Sequence, residues 1–359
     1  RKGRGLRMKK PTIEKVGKGL FDEEFRREEL KKHKDPLKRL NAVVDWEMFR
    51  PILETALHKK SKGPGGRPAY DAVLMFKILV LQRVYGLSDE QAELQIMDRL
   101  SFQDFLGLRL ADKVPDEKTI WVFRQDLTEK KVAESLFETF KAHLESTGLL
   151  LKAGVIVDAT FVDVPRQRNT REENETIKKG AIPEEWGKEE NQNKLEQKDT
   201  DARWTKKNGE RHFGYKDHVK VDRGSKLITA YTVTDASVQD SQAVGNLLTQ
   251  EDAGKEFHAD SAYVGEPIAK VLEEKGMGNA IHEKGYRNHP LTEEQKSRNR
   301  EKSKIRVRVE HVFGFMQTSM KGIFVRVIGK QRVGMIIGLA NLAYNLFRYE
   351  QLLRLGSKA

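Results

Sequence analysis

The sequence predicts an α/β fold in which an all-α N-terminal domain precedes a domain built on a mixed sheet. Two observations carry that reading. From Asp71 to Gly148 apolar residues recur at helical spacing, whereas beyond Leu149 they form short β-branched runs separated by turn residues. A third observation lies in the first of those runs, Gly154 to Val162, an apolar strand that carries one acid, Asp158, at its middle. A carboxylate inside such a strand is costly unless something compensates it, and a metal ion is the simplest compensation.

Residues 1–65 read as a basic arm and linker, with helices expected over Asp22–Lys34 and Trp46–His58. Lys59 to Pro68 mixes basic residues with glycine and proline, as a linker does, and such a segment can also lie along a phosphate backbone. Residues 66–150 form the helical domain. Asp71 is an N-cap for Ala72–Leu81, which is apolar nearly all round and so buried, and Gly86 ends the helix. Ser88 to Gln91 has capping-box spacing and opens a helix through Leu100. Phe102–Leu106 is a short helical turn, Asp116–Thr119 leads into Ile120–Leu127, and Val132–Ser146 stops at Gly148. The arrangement allows a helix-turn-helix, although helical bundles of every function share it.

Residues 151–355 form the second domain. Strands are expected at Val155–Val164, His212–Asp222 and Leu227–Thr234, the last two joined by a turn at Arg223–Ser225. A short helix over Ala243–Gln250, a strand over Phe257–Asp260, a helix over Pro267–Lys275 and a brief strand over Asn279–His282 follow. A long helix spans Thr292–Met320, and an apolar helix over Val333–Leu353 packs on the sheet. Three strands, then alternating helix and strand, then a helix bearing an acid is the order of an RNase H-like domain. Residues 166–211 are a polar insertion, longer than loops of compact domains, holding Trp186 and Trp204. The tryptophans are read first as local packing, with apolar contact to a partner base or protomer the alternative.

The chain has 66 Lys and Arg against 54 Asp and Glu, a net charge of +12 that favours a polyanionic partner. Absence of cysteine excludes disulfides, thiolate zinc sites and cysteine nucleophiles, and the nine histidines show no paired ligand spacing. No run approaches the roughly 18 apolar residues of a membrane span. The N-terminus is basic without a signal peptide's apolar stretch, and because it starts without Met a few native residues are expected to precede it. A cytoplasmic protein facing nucleic acid is the expectation.

Two further acids join Asp158. Asp260 ends a second short strand, and Glu310 lies on the basic helix Lys304–His311, where Arg306 shares its face one turn earlier. Two strand aspartates and a helix glutamate in a basic protein suggest two-metal phosphodiester chemistry, with oxygen ligands and waters completing octahedral magnesium sites. Other acids have plainer readings. Asp163 is an exposed strand end, Asp217, Asp222 and Asp235 sit near turns or edges, and Asp240 caps a helix.

These residues resemble the DDE transposases of the IS5 insertion-sequence family. Val157-Asp158-Ala159-Thr160 resembles the first-aspartate strand, and Asp260 with Tyr263 and Gly265 resembles the second motif. Arg306 to Gly314, with the arginine four residues before Glu310, resembles the third. Gly66-Arg67-Pro68, Leu87-Ser88-Asp89 and Pro115 to Ile120 look familial too, so the resemblance runs from about residue 40 onward. Two positions depart from the family pattern. Ser303 stands seven residues before the glutamate where a Tyr is usual, and Gln317 seven after it where a Lys is usual. Lys321, one turn beyond Gln317, could supply the missing cation.

The resemblance implies an enzyme that cuts the terminal inverted repeats of its element and joins the freed 3′-OH to target DNA. Asp158, Asp260 and Glu310 would hold two Mg²⁺ ions, with Mn²⁺ as a substitute. Lys304, Arg306, Arg308, Gln317, Lys321 and Tyr263 would lie beside DNA, with Arg67, Lys118 and Arg124 recognising the end through the helical domain. Joining two ends implies at least a homodimer, acting in the cytoplasm of a bacterial or archaeal cell, on the nucleoid. The alternatives are a structure-specific RNase H-like nuclease and a non-catalytic DNA-binding protein derived from a transposase.

Overall fold

The computed structural model describes residues 19, 21–57, 69–207, 209–287, 289–323 and 325–356. The helical region comprises α1 (Asp22–Lys31), α2 (Pro36–Val43), α3 (Arg50–Leu57), α4 (Ala72–Tyr85), α5 (Asp89–Asp98), α6 (Leu100–Leu106), α7 (Glu117–Glu129) and α8 (Val132–Ser146). Local chemistry sets its boundaries. Asp71 caps α4 by accepting from Leu74 N, and Gly86, at φ 64°, ends it. Ser88 and Gln91 form the capping box of α5, and Asp116 caps α7. α4 is the hub: Val73, Phe76, Ile78, Leu79, Val80 and Leu81 are all buried, so it has no solvent face. The sequence reading missed α2, whose eight residues carry too short a pattern, although Asp35 caps it and Pro36 opens it.

The second domain contains β1 (Val155–Asp163), α9 (Arg171–Lys178), α10 (Gln192–Glu196), β2 (Arg203–Lys207), β3 (Glu210–Asp222), β4 (Ile228–Asp235), α11 (Val244–Leu247), β5 (Glu256–His258), α12 (Glu266–Glu274), β6 (Gly278–Asn279), α13 (Glu293–Thr318) and α14 (Lys330–Gly356). The sheet runs β4–β3–β1–β5–β6, with β1, β3 and β4 antiparallel and β5 and β6 parallel to β1. This is the RNase H-like arrangement, preceded by the helical region. β3 is long enough to serve two neighbours on its outer edge, β2 along residues 210–214 and β4 along residues 215–221. Gly214 marks the handover: at φ 149°, a Cβ there would sit 2.3 Å from the Val162 carbonyl oxygen on β1.

One core joins the helical region to α13, α14 and the sheet face bearing Ile156, Val219 and Val221. The opposite face, with Val155, Val157 and Phe257, is covered by α11 and α12 through Val244, Leu247, Ile268 and Leu272. The insertion is ordered rather than a bare loop. Trp186 is fully buried and donates Nε1–H to Glu173 at 2.7 Å, as the packing reading expects. Trp204 on β2 remains 39% exposed.

Four acids placed by sequence near turns, edges or caps separate here. Asp222 and Asp235 do hold turns, accepting from Ser225 and Ser237. Asp240 does not cap a helix; its carboxylate takes Lys216 at 2.8 Å and Lys207 at 3.6 Å. Asp217 is neither at a turn nor at an edge. It is fully buried, because β3 is paired on both sides at that residue. Asn341 Nδ2 donates to its Oδ1 at 3.2 Å, while Oδ2 and the Asn341 Oδ1 have no partner among the described residues. Burial pushes the Asp217 carboxyl up to about 7. A protonated Asp217 can donate back to Asn341 and complete an acid–amide pair.

The linkage has a definite sign. With the folded pKa above the unfolded value of 3.8, the native state binds the extra proton between about pH 4 and 7, so stability falls as pH rises through that window. Asp217→Asn should therefore raise the melting temperature at pH 8, by up to ~4 kcal/mol of stability, and leave it nearly unchanged near pH 4. Thermal melts at the two pH values test this; a variant less stable than the parent at pH 8 would show that the fold compensates the Asp217 charge and that burial does not raise its pKa.

Candidate active site

Asp158 sits on the central strand, opposite Val219 of β3, and is 8% exposed. Strand alternation puts it on the face of Ile156, toward α13. Its Oδ1 accepts from Ala159 N at 2.9 Å and its Oδ2 from Arg306 at 2.9 Å. The other terminal nitrogen of Arg306 donates to Glu310 Oε1 at 2.7 Å, one helical turn on. Arg306 therefore bridges the strand acid to the helix acid. Burial pushes the Asp158 carboxyl up; the Arg306 charge opposes that rise and the Asp260 charge adds to it.

Asp260 follows β5. The parallel register sets Phe257 level with Val155 and His258 level with Ile156, so the same offset carried two residues on sets Asp260 level with Asp158. Its Oδ1 accepts from Ala262 N at 2.8 Å, capping the single turn Ser261–Tyr263. Asp158, within β1, and Asp260, just past the C-terminal end of β5, thus lie level on two adjacent parallel strands.

α13 is held to this end by a zipper the sequence reading did not foresee. Asn299 exchanges hydrogen bonds with both backbone groups of Glu283, Lys302 donates to the Ile281 carbonyl, and Arg298 pairs with the Glu283 carboxylate at 2.8 Å. Ser303, where the family pattern has tyrosine, contacts His282 Nε2 at 2.9 Å, and His282 Nδ1 lies 3.0 Å from the Ala259 carbonyl. This chain of contacts ties α13 to the backbone immediately before Asp260. The only signal in sequence is polar residues spaced three and four apart on one helix face, which solvated helices share.

The remaining expected residues divide. Lys304 is exposed and pairs with Glu301, and Gln317, Lys321 and Lys118 are exposed. Arg308 turns inward, donating to the carbonyls of Arg223 and Gly224, so it clamps the β3–β4 turn instead of facing solvent. Arg124 is engaged by Asp89 through two nitrogens at 2.6 and 2.7 Å. Tyr263, expected beside DNA, is 1% exposed, packs against Phe257, and has a hydroxyl without a partner among the described residues. Burial, then the charge of Asp158, raises its pKa well above the ordinary value. Arg67 lies outside the described residues.

The donor set suits a hard cation. Asp158 and Asp260 supply carboxylate oxygens that feel each other's charge, and Arg306 supplies the positive charge that Asp158 requires. Among the described residues no three acidic or histidine side chains already gather round one point, because Glu310 turns to Arg306. The Glu310 side chain is 53% exposed, so it is free to rotate toward the aspartates.

Fold and acids define an RNase H-like protein with carboxylates level on two adjacent parallel strands of its sheet. Residues 150–346 match the family described as Transposase DDE domain, more than half of the chain, and residues 25–126 match the Transposase domain (DUF772). The chain belongs to the DDE transposase domain family. Among solved structures it is similar to a piggyBac transposase synaptic complex with hairpin DNA, at 13% identity and a TM-score of 0.44, covering 90% of this chain and 76% of that one.

The bridge makes a measurable demand. Removing Arg306 leaves Asp158 buried and uncompensated, so Arg306→Ala should destabilise by about 1–3 kcal/mol at pH 7. In an Asp158→Asn background the same change should cost much less. A denaturant double-mutant cycle reads the coupling; equal costs in the two backgrounds would mean that the contact carries no energy.

Proposed function

We propose that this protein is a transposase of the insertion-sequence type resembling the IS5 family, cutting the ends of its element and joining the freed 3′-OH to target DNA. The observation that carries the reading is the placing of Asp158 and Asp260 level on neighbouring parallel strands, with Glu310 linked to Asp158 through Arg306. In this reading Asp158, Asp260 and Glu310 hold the Mg²⁺ ions (or Mn²⁺), which would activate the attacking oxygen and stabilise the leaving one. Asp158 is largely shielded from water by its strand neighbours, so its charge acts with little solvent screening. Arg306 balances Asp158 and Glu310 and, on rotating outward, would meet a DNA phosphate. Lys304, Gln317, Lys321 and Lys118 are exposed and available to the DNA backbone. The net charge of +12 supports a polyanionic partner. Because two ends must be joined, at least a homodimer is the working unit, on cytoplasmic DNA of a bacterial or archaeal cell; no helix among the described residues is long and apolar enough to cross a membrane.

Incubating the protein with a labelled duplex of its element's end, Mg²⁺ and a supercoiled plasmid tests this. Transfer of label to the plasmid is expected, and cleavage without transfer would assign a nuclease instead. Asp158→Asn, Asp260→Ala and Glu310→Ala should each lower cleavage by at least about a thousand-fold while leaving DNA affinity within a few-fold, since phosphate contacts come mainly from Lys and Arg. Substantial cleavage by Asp260→Ala would remove that residue from the site.

A further inference from the structure

A cavity of about 410 Å³ lies where the helical region meets the segment that follows α13. Its lining includes Arg83 at the end of α4, Arg124 and Trp121 on α7, and Lys321 and Arg326 beyond α13. The charge balance there is one-sided. Arg124 takes both oxygens of Asp89, the cavity's one lining carboxylate among the described residues. Arg83 is half-buried and donates no hydrogen bond to any described residue, and Lys321 has no carboxylate partner among them. Burial, then the charge of Arg124, lowers Arg83 to about 10.

The backbone holds this arrangement under strain. Lys321 adopts φ 60°, a left-handed conformation that non-glycine residues rarely take. A Cβ on Gly86, itself at φ 64°, would come within 3.0 Å of Lys321 Cβ, so only a glycine there lets the lysine approach. A guanidinium that shares its one nearby acid, Asp89, with Arg124, and a strained lysine lining the same cavity, are both costs to the fold unless a ligand offsets them. Trp121, at the mouth, is 50% exposed. Clustered cations beside an exposed indole match a nucleotide's phosphate and the face of its base.

We propose that this cavity binds one backbone phosphate of a DNA strand, held by Arg83 and Lys321, with an adjoining base stacked on Trp121. The proposal rests on the DNA-joining reading above and adds a second contact region, on the helical side of the protein and apart from the acids.

The test uses the full chain and a fluorescein-labelled, random-sequence duplex with a short single-stranded tail, its affinity measured across a salt titration. Arg83→Gln with Lys321→Gln should reduce the slope of log affinity against log salt by roughly 0.7–0.9, the loss of one phosphate contact. Trp121→Ala should weaken binding roughly ten-fold and abolish part of the tryptophan quenching that DNA causes. Arg83→Lys, which keeps the charge, should retain the parent slope. If the Arg83→Gln protein melts early, Lys321→Gln and Trp121→Ala, both at exposed side chains, decide alone. An unchanged slope together with unchanged quenching in folded variants would overturn the cavity's role. Failure of the parent protein to bind the duplex at any salt would instead overturn the DNA reading itself.

Discussion

The constraint on which this architecture depends is the charge of Asp158, set in the central strand of a sheet whose two faces are covered. Such a carboxylate persists only if a positive group reaches it, and the group that does so is Arg306. That requirement fixes where α13 must lie, and the contacts of Asn299, Lys302 and Ser303 with residues 281–283 keep it there. Because the same guanidinium holds Glu310, one side chain sets the relation between the strand acid and the helix acid. A displacement of α13 by even part of a turn would leave Asp158 without compensation and Glu310 pointing elsewhere.

Two buried acids on one sheet face are accommodated in different ways. Asp158 lies opposite Val219, and Asp217 opposite Thr160 two positions along, so both point to the same side. The first is balanced by a guanidinium. The second has only an amide beside it, and burial raises it to about 7, so a proton takes the place of a cation. On the other face the chemistry is inverted: Lys216 and Lys220 are buried, and each finds an aspartate, Asp240 or Asp252, at 2.8 and 2.7 Å. β3 thus carries charged residues on both faces, and every one of these arrangements needs a partner from another element. This explains why a strand that alternates in polarity like a half-exposed one is buried over most of its length.

What the sequence makes legible follows from how local the determining physics is. Asp71, Ser88, Asp116 and Thr292 cap helices through groups within four residues, so the starts of α4, α5, α7 and α13 could be read directly. The three acids were legible because each stands out within its own element. β2 and the helices of the insertion were not, since Arg203–Lys207 is polar and becomes a strand only by pairing with β3. The inward turn of Arg308 depends on two carbonyls more than eighty residues away, and the burial of Tyr263 on a cluster assembled from four elements. No spacing rule reports such contacts.

α14 connects these parts, and it does so with polar groups in its interior face as well as apolar ones. Asn345 satisfies both backbone groups of Ile228, Tyr344 donates to the Lys226 carbonyl, and Arg348 to that of Ser225. With Arg308 from α13, these bonds grip the β3–β4 hairpin through its backbone. The other side of α14 packs on α4 and α8 of the helical region. Apolar packing alone would allow the two regions to slide against each other, whereas directional bonds to named carbonyls allow one register. The helical region therefore has a fixed position relative to Asp158 and Asp260. A DNA strand touching both would be held at a constant distance between its contacts, the geometric condition for cutting at a defined position without reading every base.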